Sequence, residues 1–238
     1  MPVDVIVSTD SVAVAAAKDA TSTVPIVLQG TGNPVPAKLV ASVDHPGANI
    51  TGIIEAVPGI YDKRLQLLKD AFPNVVHVAT IVQAGHPTTP GLLNALQAAA
   101  RGTQLQLQVH QVGTAPDIES AFSTEGEQVD ALFVGRQAFL ATNKDRLVQL
   151  AARTGLPAMY STREFVEAGG LMGYGASEEE IARRTAGVVD RILKGANPAE
   201  TPIEQAATFE FVVNLTTAHT LGLSIPQAVL DQATAVIQ

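Results

Sequence analysis

Residues 160–175 read Tyr-Ser-Thr-Arg-Glu-Phe-Val-Glu-Ala-Gly-Gly-Leu-Met-Gly-Tyr-Gly, and their order governs how the rest of the chain is read. A short apolar strand ends at Tyr160, and a polar turn at Ser161 and Thr162 opens a brief helix. The Gly169-Gly170 pair breaks that helix, and a second strand runs to Tyr174 and Gly175. Two strand ends therefore fall close together. In open α/β sheets a ligand sits outside the carboxyl ends of the strands, so Tyr160, Ser161, Thr162, Glu164 and Tyr174 are candidates to line one crevice.

The residues before and after repeat the same alternation of strand and helix. Val3, Val5, Ile6 and Val7 form a β-branched run suited to a sheet buried on both faces. Ser8, Thr9, Asp10 and Ser11 follow it; they can cap a helix over 12–20, and they also stand at a strand's carboxyl end. A strand over 25–28 leads to a loop holding Gly30, Thr31, Gly32 and Asn33, then a short helix over 37–43. That loop lacks the third glycine and the downstream acid of a dinucleotide fingerprint, and is read only as a binding loop. A strand over 49–54 ends at Glu55, and Val57-Pro58-Gly59 reads as a crossing into a second lobe.

The second lobe opens with an amphipathic helix carrying Leu65, Leu68 and Phe72 on one stripe, stopped by Pro73. A strand over 77–82 leads to a loop with His86 and Thr88. With no adjacent Ser/Asp arrangement and no metal-spaced second histidine, His86 is assigned a surface or hydrogen-bonding role. Leu105, Leu107 and Val109 alternate with polar residues, the pattern of a strand near a sheet edge. A buried-type strand over 130–134 carries Arg136 and Gln137 at its end. Arg136 suits either bidentate capture of a carboxylate or plain solvation, and spacing does not separate the two. Ser177 and Glu180 form a capping-box pattern ahead of a helix with Ile181, Thr185, Val188 and Ile192 on one face. Residues 209–213 alternate as a last strand, and a closing helix is expected around 229–236.

Composition bounds what such a chain does. Its 238 residues, 46% apolar, can bury one large core or two small ones. The net charge of −8 with no Lys/Arg cluster argues against nucleic acid or an anionic membrane as partner. Cysteine is absent, which removes disulfides, a thiol nucleophile and Cys-ligated metal. No apolar run approaches the ~18 residues a membrane span needs, and the N-terminus lacks a basic region followed by an apolar one.

The segment over 160–175 closely resembles the signature of ABC-transporter substrate-binding proteins of the tryptophan/tyrosine type, relatives of the two-lobed type I periplasmic binding proteins. Val3-Asp4-Val5-Ile6-Val7, Asn49-Ile50-Thr51-Gly52 after the Pro46-Gly47 turn, and Val189-Asp190-Arg191-Ile192-Leu193-Lys194-Gly195 resemble the same family. The resemblance implies an α/β fold of two lobes, each a parallel sheet flanked by helices, with a ligand held in the cleft between them. It places 1–57 with about 177–200 in the first lobe and 58–176 with about 201–238 in the second. Relatives have a secretion signal and two strand–helix units ahead of the segment matching 3–7, so the first lobe is expected to be incomplete and that strand to be an exposed edge prone to self-association. Relatives often carry an acid about where Gln137 falls, which bears on the class of ligand.

No catalytic constellation, metal-ligand spacing or cofactor motif emerges from the residues. The expected function is the solute-binding component of an ABC importer, periplasmic or extracytoplasmic by resemblance, that captures an amino acid or similar small polar ligand and delivers it to a permease. A sensory ligand-binding domain of the same fold is the alternative, and an α/β enzyme the third reading. The expected ligand contacts are Thr9, Asp10, Ser11, Thr31 and Asn33 from one lobe, and His86, Thr88, Arg136, Gln137, Tyr160, Glu164 and Tyr174 from the other. Tyr160 or Tyr174 would stack on the ligand, Arg136 or backbone N–H groups would hold an anion, and Asp10 or Glu164 a cation.

Overall fold

The computed structural model describes residues 3–123 and 128–238. In chain order the elements begin with β1 (Ile6–Ser8), α1 (Ser11–Ala20), β2 (Ile26–Thr31), β3 (Ile50–Ile54), α2 (Ile60–Ala71), β4 (His77–Gln83) and α3 (Thr89–Thr103). They continue with β5 (Gln106–Val112), α4 (Ala115–Ala121), β6 (Ala131–Val134), α5 (Ala138–Thr142), α6 (Lys144–Thr154), β7 (Ala158–Tyr160) and α7 (Arg163–Glu167). The last are β8 (Met172–Ala176), α8 (Glu178–Leu193), β9 (Glu204–Gln205), β10 (Phe209–Asn214), α9 (Leu215–Thr220), α10 (Gln227–Leu230) and β11 (Ala235–Ile237).

The chain divides into two compact units. The first comprises Met1–Pro58, His86–Gly91 and Ala176–Phe209; the second comprises Gly59–Gly85, Leu92–Gly175 and Glu210–Gln238. In the first unit a sheet of order β1-β2-β3-β9 pairs in parallel throughout. Successive β2 residues point to opposite faces, and the two faces are both covered. Ile26 and Leu28 pack with Val14 of α1, while Val27 packs with Ile181, Val188 and Ile192 of α8. That is why β2 reads as a continuous apolar run rather than an alternation.

The second unit is built on a seven-stranded sheet of order β11-β10-β8-β7-β6-β4-β5. One face carries Val78, Phe133, Met159, Met172 and Phe211 against Leu65 and Leu68 of α2 and Leu96 of α3. The other carries Ile81, Leu132, Val134 and Tyr160 against Leu140 of α5, Leu147 of α6 and Phe165 of α7. β5 lies at the sheet edge, the place its alternating pattern predicts.

Several expectations are corrected. No helix forms over 37–43: Pro34 and Pro36 precede it and Lys38 adopts φ 57, so the chain runs in turns that still bury Leu39 and Val40. The closing helix around 229–236 is instead the short α10 followed by β11, which pairs with β10 through Val212 opposite Ala235. Residues 201–209 belong with the first unit, not the second. The Thr51 hydroxyl donates to the Thr201 carbonyl (2.8 Å), β9 pairs with β3, and Arg184 and Arg191 of α8 both bind the Glu204 carboxylate (2.6 Å each). Residues 86–91 also group with the first unit.

Candidate functional site

Because β1–β3 of the first sheet and β4–β8 of the second pair in parallel, their carboxyl ends gather along one edge of each sheet, whereas β10 runs antiparallel to β8, with the Ser177 N–H donating to the Thr208 carbonyl and the Asn214 N–H to the Leu171 carbonyl. In the first unit this edge holds the residues after β1 and β2. Asp10 is the N-cap of α1: its Oδ1 accepts from the N–H groups of Val12 (2.8 Å) and Ala13 (3.3 Å). Its Oδ2 lies 3.0 Å from Nε2 of His86, a buried residue. Nδ1 of His86 accepts from the backbone N–H of Thr88 at 3.3 Å and sits 2.9 Å from the Thr88 hydroxyl. A backbone N–H can only donate, so in the neutral ring Nε2 carries the proton and donates it to Asp10. Burial alone would raise the Asp10 carboxyl, but the hydrogen bonds from His86, Val12 and Ala13 and the attraction of His86 outweigh it and hold the group below its ordinary 3.8.

His86 and Thr88 were expected in the second lobe, yet this hydrogen-bond chain puts them in the same unit as Asp10. Around it, the Ser8 hydroxyl donates to the Asp10 carbonyl (3.1 Å), and Ser11 is buried at the start of α1. The Thr31 hydroxyl is buried and donates to the Gly32 carbonyl (3.2 Å). Asn33 is exposed, its Oδ1 committed to the N–H of Val35 (3.0 Å). Thr9 is exposed beside them.

In the second unit the ends of β6, β7 and β8 lie side by side. Ser161 is buried and its hydroxyl donates to the Val134 carbonyl at 3.0 Å. Gln137, also buried, is the N-cap of α5; Arg136 is partly exposed beside it, and Glu164 is exposed in the first turn of α7. Tyr174 is partly buried, with a hydroxyl raised by desolvation against the opposing charge of Arg64.

Tyr160 is not among the side chains exposed at these strand ends. It is 1% exposed, its ring stacks on Phe165 at 5.2 Å, and burial pushes its hydroxyl far above the usual phenol range. The reason is pleat parity: Tyr160 pairs with Gly173, so Tyr174 is one position out of phase and packs on the opposite face of the sheet. Sequence spacing put both rings in one crevice, but register separates them.

Arg64 is a residue the sequence reading passed over. It lies on α2, 2% exposed, and donates from Nε to the Tyr174 carbonyl (2.7 Å) and from Nη2 to the Ser161 carbonyl (2.9 Å). No local signal marks it, because its partners lie 97 and 110 positions downstream. Among the described residues, no group of three or more His, Asp or Glu side chains is placed to hold a metal ion. No helix among them is long and apolar enough to cross a membrane.

Residues 2–237 match the family described as ABC transporter substrate binding protein. The chain belongs to that family.

Two solved structures and one curated protein are similar to the chain. A conserved domain protein from Vibrio cholerae O1 biovar eltor is 28% identical, with a TM-score of 0.92 covering 99% of this chain and 79% of its own. The ABC domain from Streptococcus pneumonia, solved in complex with L-Trp, is 26% identical, with a TM-score of 0.92 covering 99% of this chain and 81% of its own. A tyrosine-binding protein of Clostridioides difficile is 22% identical over 220 residues, which are 92% of this chain and 63% of the relative. The chain thus spans 63% of the length of that curated relative.

Proposed function

We propose that the chain reversibly captures a free amino acid with an aromatic side chain at the carboxyl ends of its strands and hands it to an ABC permease outside the cytoplasm. The observation that carries this reading is the makeup of the strand ends: hydroxyls, amides and one partly buried tyrosine, gathered along one edge of each sheet in a chain that matches the substrate-binding family over residues 2–237. Hydroxyl and amide groups orient a zwitterion without transforming it, and an aromatic wall supplies contact area. Similar proteins bind L-Trp and tyrosine, which makes these two the first ligands to test.

The proposed contacts are Thr9, Asp10, Ser11, Thr31, Asn33, His86 and Thr88 in the first unit, and Arg136, Gln137, Glu164 and Tyr174 in the second. Tyr174, not Tyr160, supplies the ring. Arg136 or backbone N–H groups hold the ligand carboxylate. Asp10 and Glu164 are the acids available for its ammonium group. A thermal-shift screen over amino acids, purines and sugars tests the function. A ligand at a hundredfold excess over its Kd adds about 2.7 kcal/mol of stability. L-tryptophan or L-tyrosine is expected to raise the midpoint and sugars are not; the reverse order would sink the proposal.

The 238-residue chain is also proposed to self-associate through β1. Among the described residues that strand is an edge of its sheet, and Val3, Val7 and Val12, before, in and after it in sequence, are 48%, 44% and 45% exposed. Light scattering is expected to give a mass above the 24.8 kDa of the single chain, falling toward it in Val7→Lys. A monodisperse monomer with β1 amides protected from exchange contradicts this.

A further inference from the structure

Arg64 heads the fully buried side chains of the described residues by size, and nothing about core packing requires a guanidinium there. A leucine would fill the same stretch of α2 without the several kcal/mol that desolvating a charge costs. What leucine cannot do is donate hydrogen bonds. The β7–β8 ladder pairs Met159 with Met172 and Tyr160 with Gly173. The next residues on each strand are Ser161 and Tyr174, and it is their carbonyls that accept from Nη2 and Nε of Arg64 at 2.9 and 2.7 Å. The planar fork of the guanidinium thus carries the pairing on from where the backbone ladder leaves off. The far side of Ser161 is tied as well, through its hydroxyl to the Val134 carbonyl at the end of β6. Tyr61, one turn earlier on α2, lies with its ring centroid 5.4 Å from the guanidinium carbon and packs with Tyr174 against the same core.

We infer that Arg64 is the positioning residue of the ligand site: it fixes the spacing of the β7 and β8 ends, and through it the placement of Tyr174. This rests on the proposed capture of an aromatic amino acid, and two separate readouts distinguish its failure from the failure of that reading. In the full chain, Arg64→Met is expected to speed amide exchange over 161–163 and 174–176 by about tenfold or more while β10 keeps its protection. Affinity for L-tryptophan or L-tyrosine, measured by calorimetric titration, is expected to fall by about tenfold or more. Arg64→Lys, whose single ammonium reaches one carbonyl at a time, is expected to recover part of both, and it carries the test if the methionine variant does not fold.

Unchanged exchange at the two strand ends overturns the inference. So does a loss of protection spread evenly over the second unit, or an affinity left intact despite frayed ends. If the wild-type chain binds neither amino acid, the functional reading falls, and exchange at 161–163 and 174–176 alone decides the role of Arg64.

Discussion

Replacing Gly175 with alanine is expected to destabilise the second unit by about 3 kcal/mol, lowering its melting midpoint by roughly 6–12 °C. A Cβ there would stand 2.2 Å from the Ser161 carbonyl oxygen, 3.2 Å from its carbon and 3.3 Å from the Thr162 Cα. All three atoms are backbone, so no rotamer relieves the clash; β8 must move off the segment that follows β7. That oxygen also accepts from the buried Arg64, so the displacement strains a second contact. Gly187 supplies the control. It lies on α8 with nothing within 4 Å of an added Cβ, and alanine there is expected to raise stability by about 0.5–1 kcal/mol. Differential scanning calorimetry of the two variants checks both signs. Equal and small effects would mean that the tight approach of 161–162 to β8 is not a feature of the folded protein.

Asp10→Ala is expected to cost the first unit about 2–4 kcal/mol, because the carboxylate serves two partners at once. Losing the N-cap of α1 accounts for about 1 kcal/mol, and leaving the buried His86 N–H without an acceptor for a further 1–3. Asp10→Asn has a single side-chain oxygen and can cap α1 or accept from His86, not both, so it is expected to fall between wild type and alanine. The pH dependence follows with a definite sign. The folded carboxyl lies below its ordinary 3.8, so its contribution is fully present above that value and is lost as pH falls through the folded pKa. Urea unfolding at pH 7 and pH 3 therefore finds a smaller wild-type-to-variant gap at pH 3. A gap that stays constant or widens in acid would show that Asp10 is not held ionised by these partners.

How much of this was legible in the sequence depends on how local the cause is. Ile26 to Leu28 and Ala131 to Val134 announce buried strands because covering both faces leaves no polar positions. The polar alternation of β5 announces its edge for the opposite reason. The helix end at Ala71 is fixed two residues ahead of Pro73. At the other extreme, Ala235–Ile237 is a short apolar run that fits a helix or a strand equally, and only pairing with β10 decides it. Carboxyl-end loops could be named as site candidates from strand order alone. Which of their side chains face outward could not, since a shift of one residue between β7 and β8 turns Tyr160 into core and leaves Tyr174 partly exposed. The Asp10–His86 and Arg64–Tyr174 contacts join residues 76 and 110 positions apart, and nothing short of the fold brings them together.

The most direct test of ligand capture at the strand ends is a crystal structure of the chain grown with L-tryptophan or L-tyrosine. The expected map shows the unaltered amino acid at the carboxyl ends of β6, β7 and β8, its ring against Tyr174 and Tyr160 untouched in the core. Density at the amino ends of those strands, or a chemically converted ligand, would contradict it.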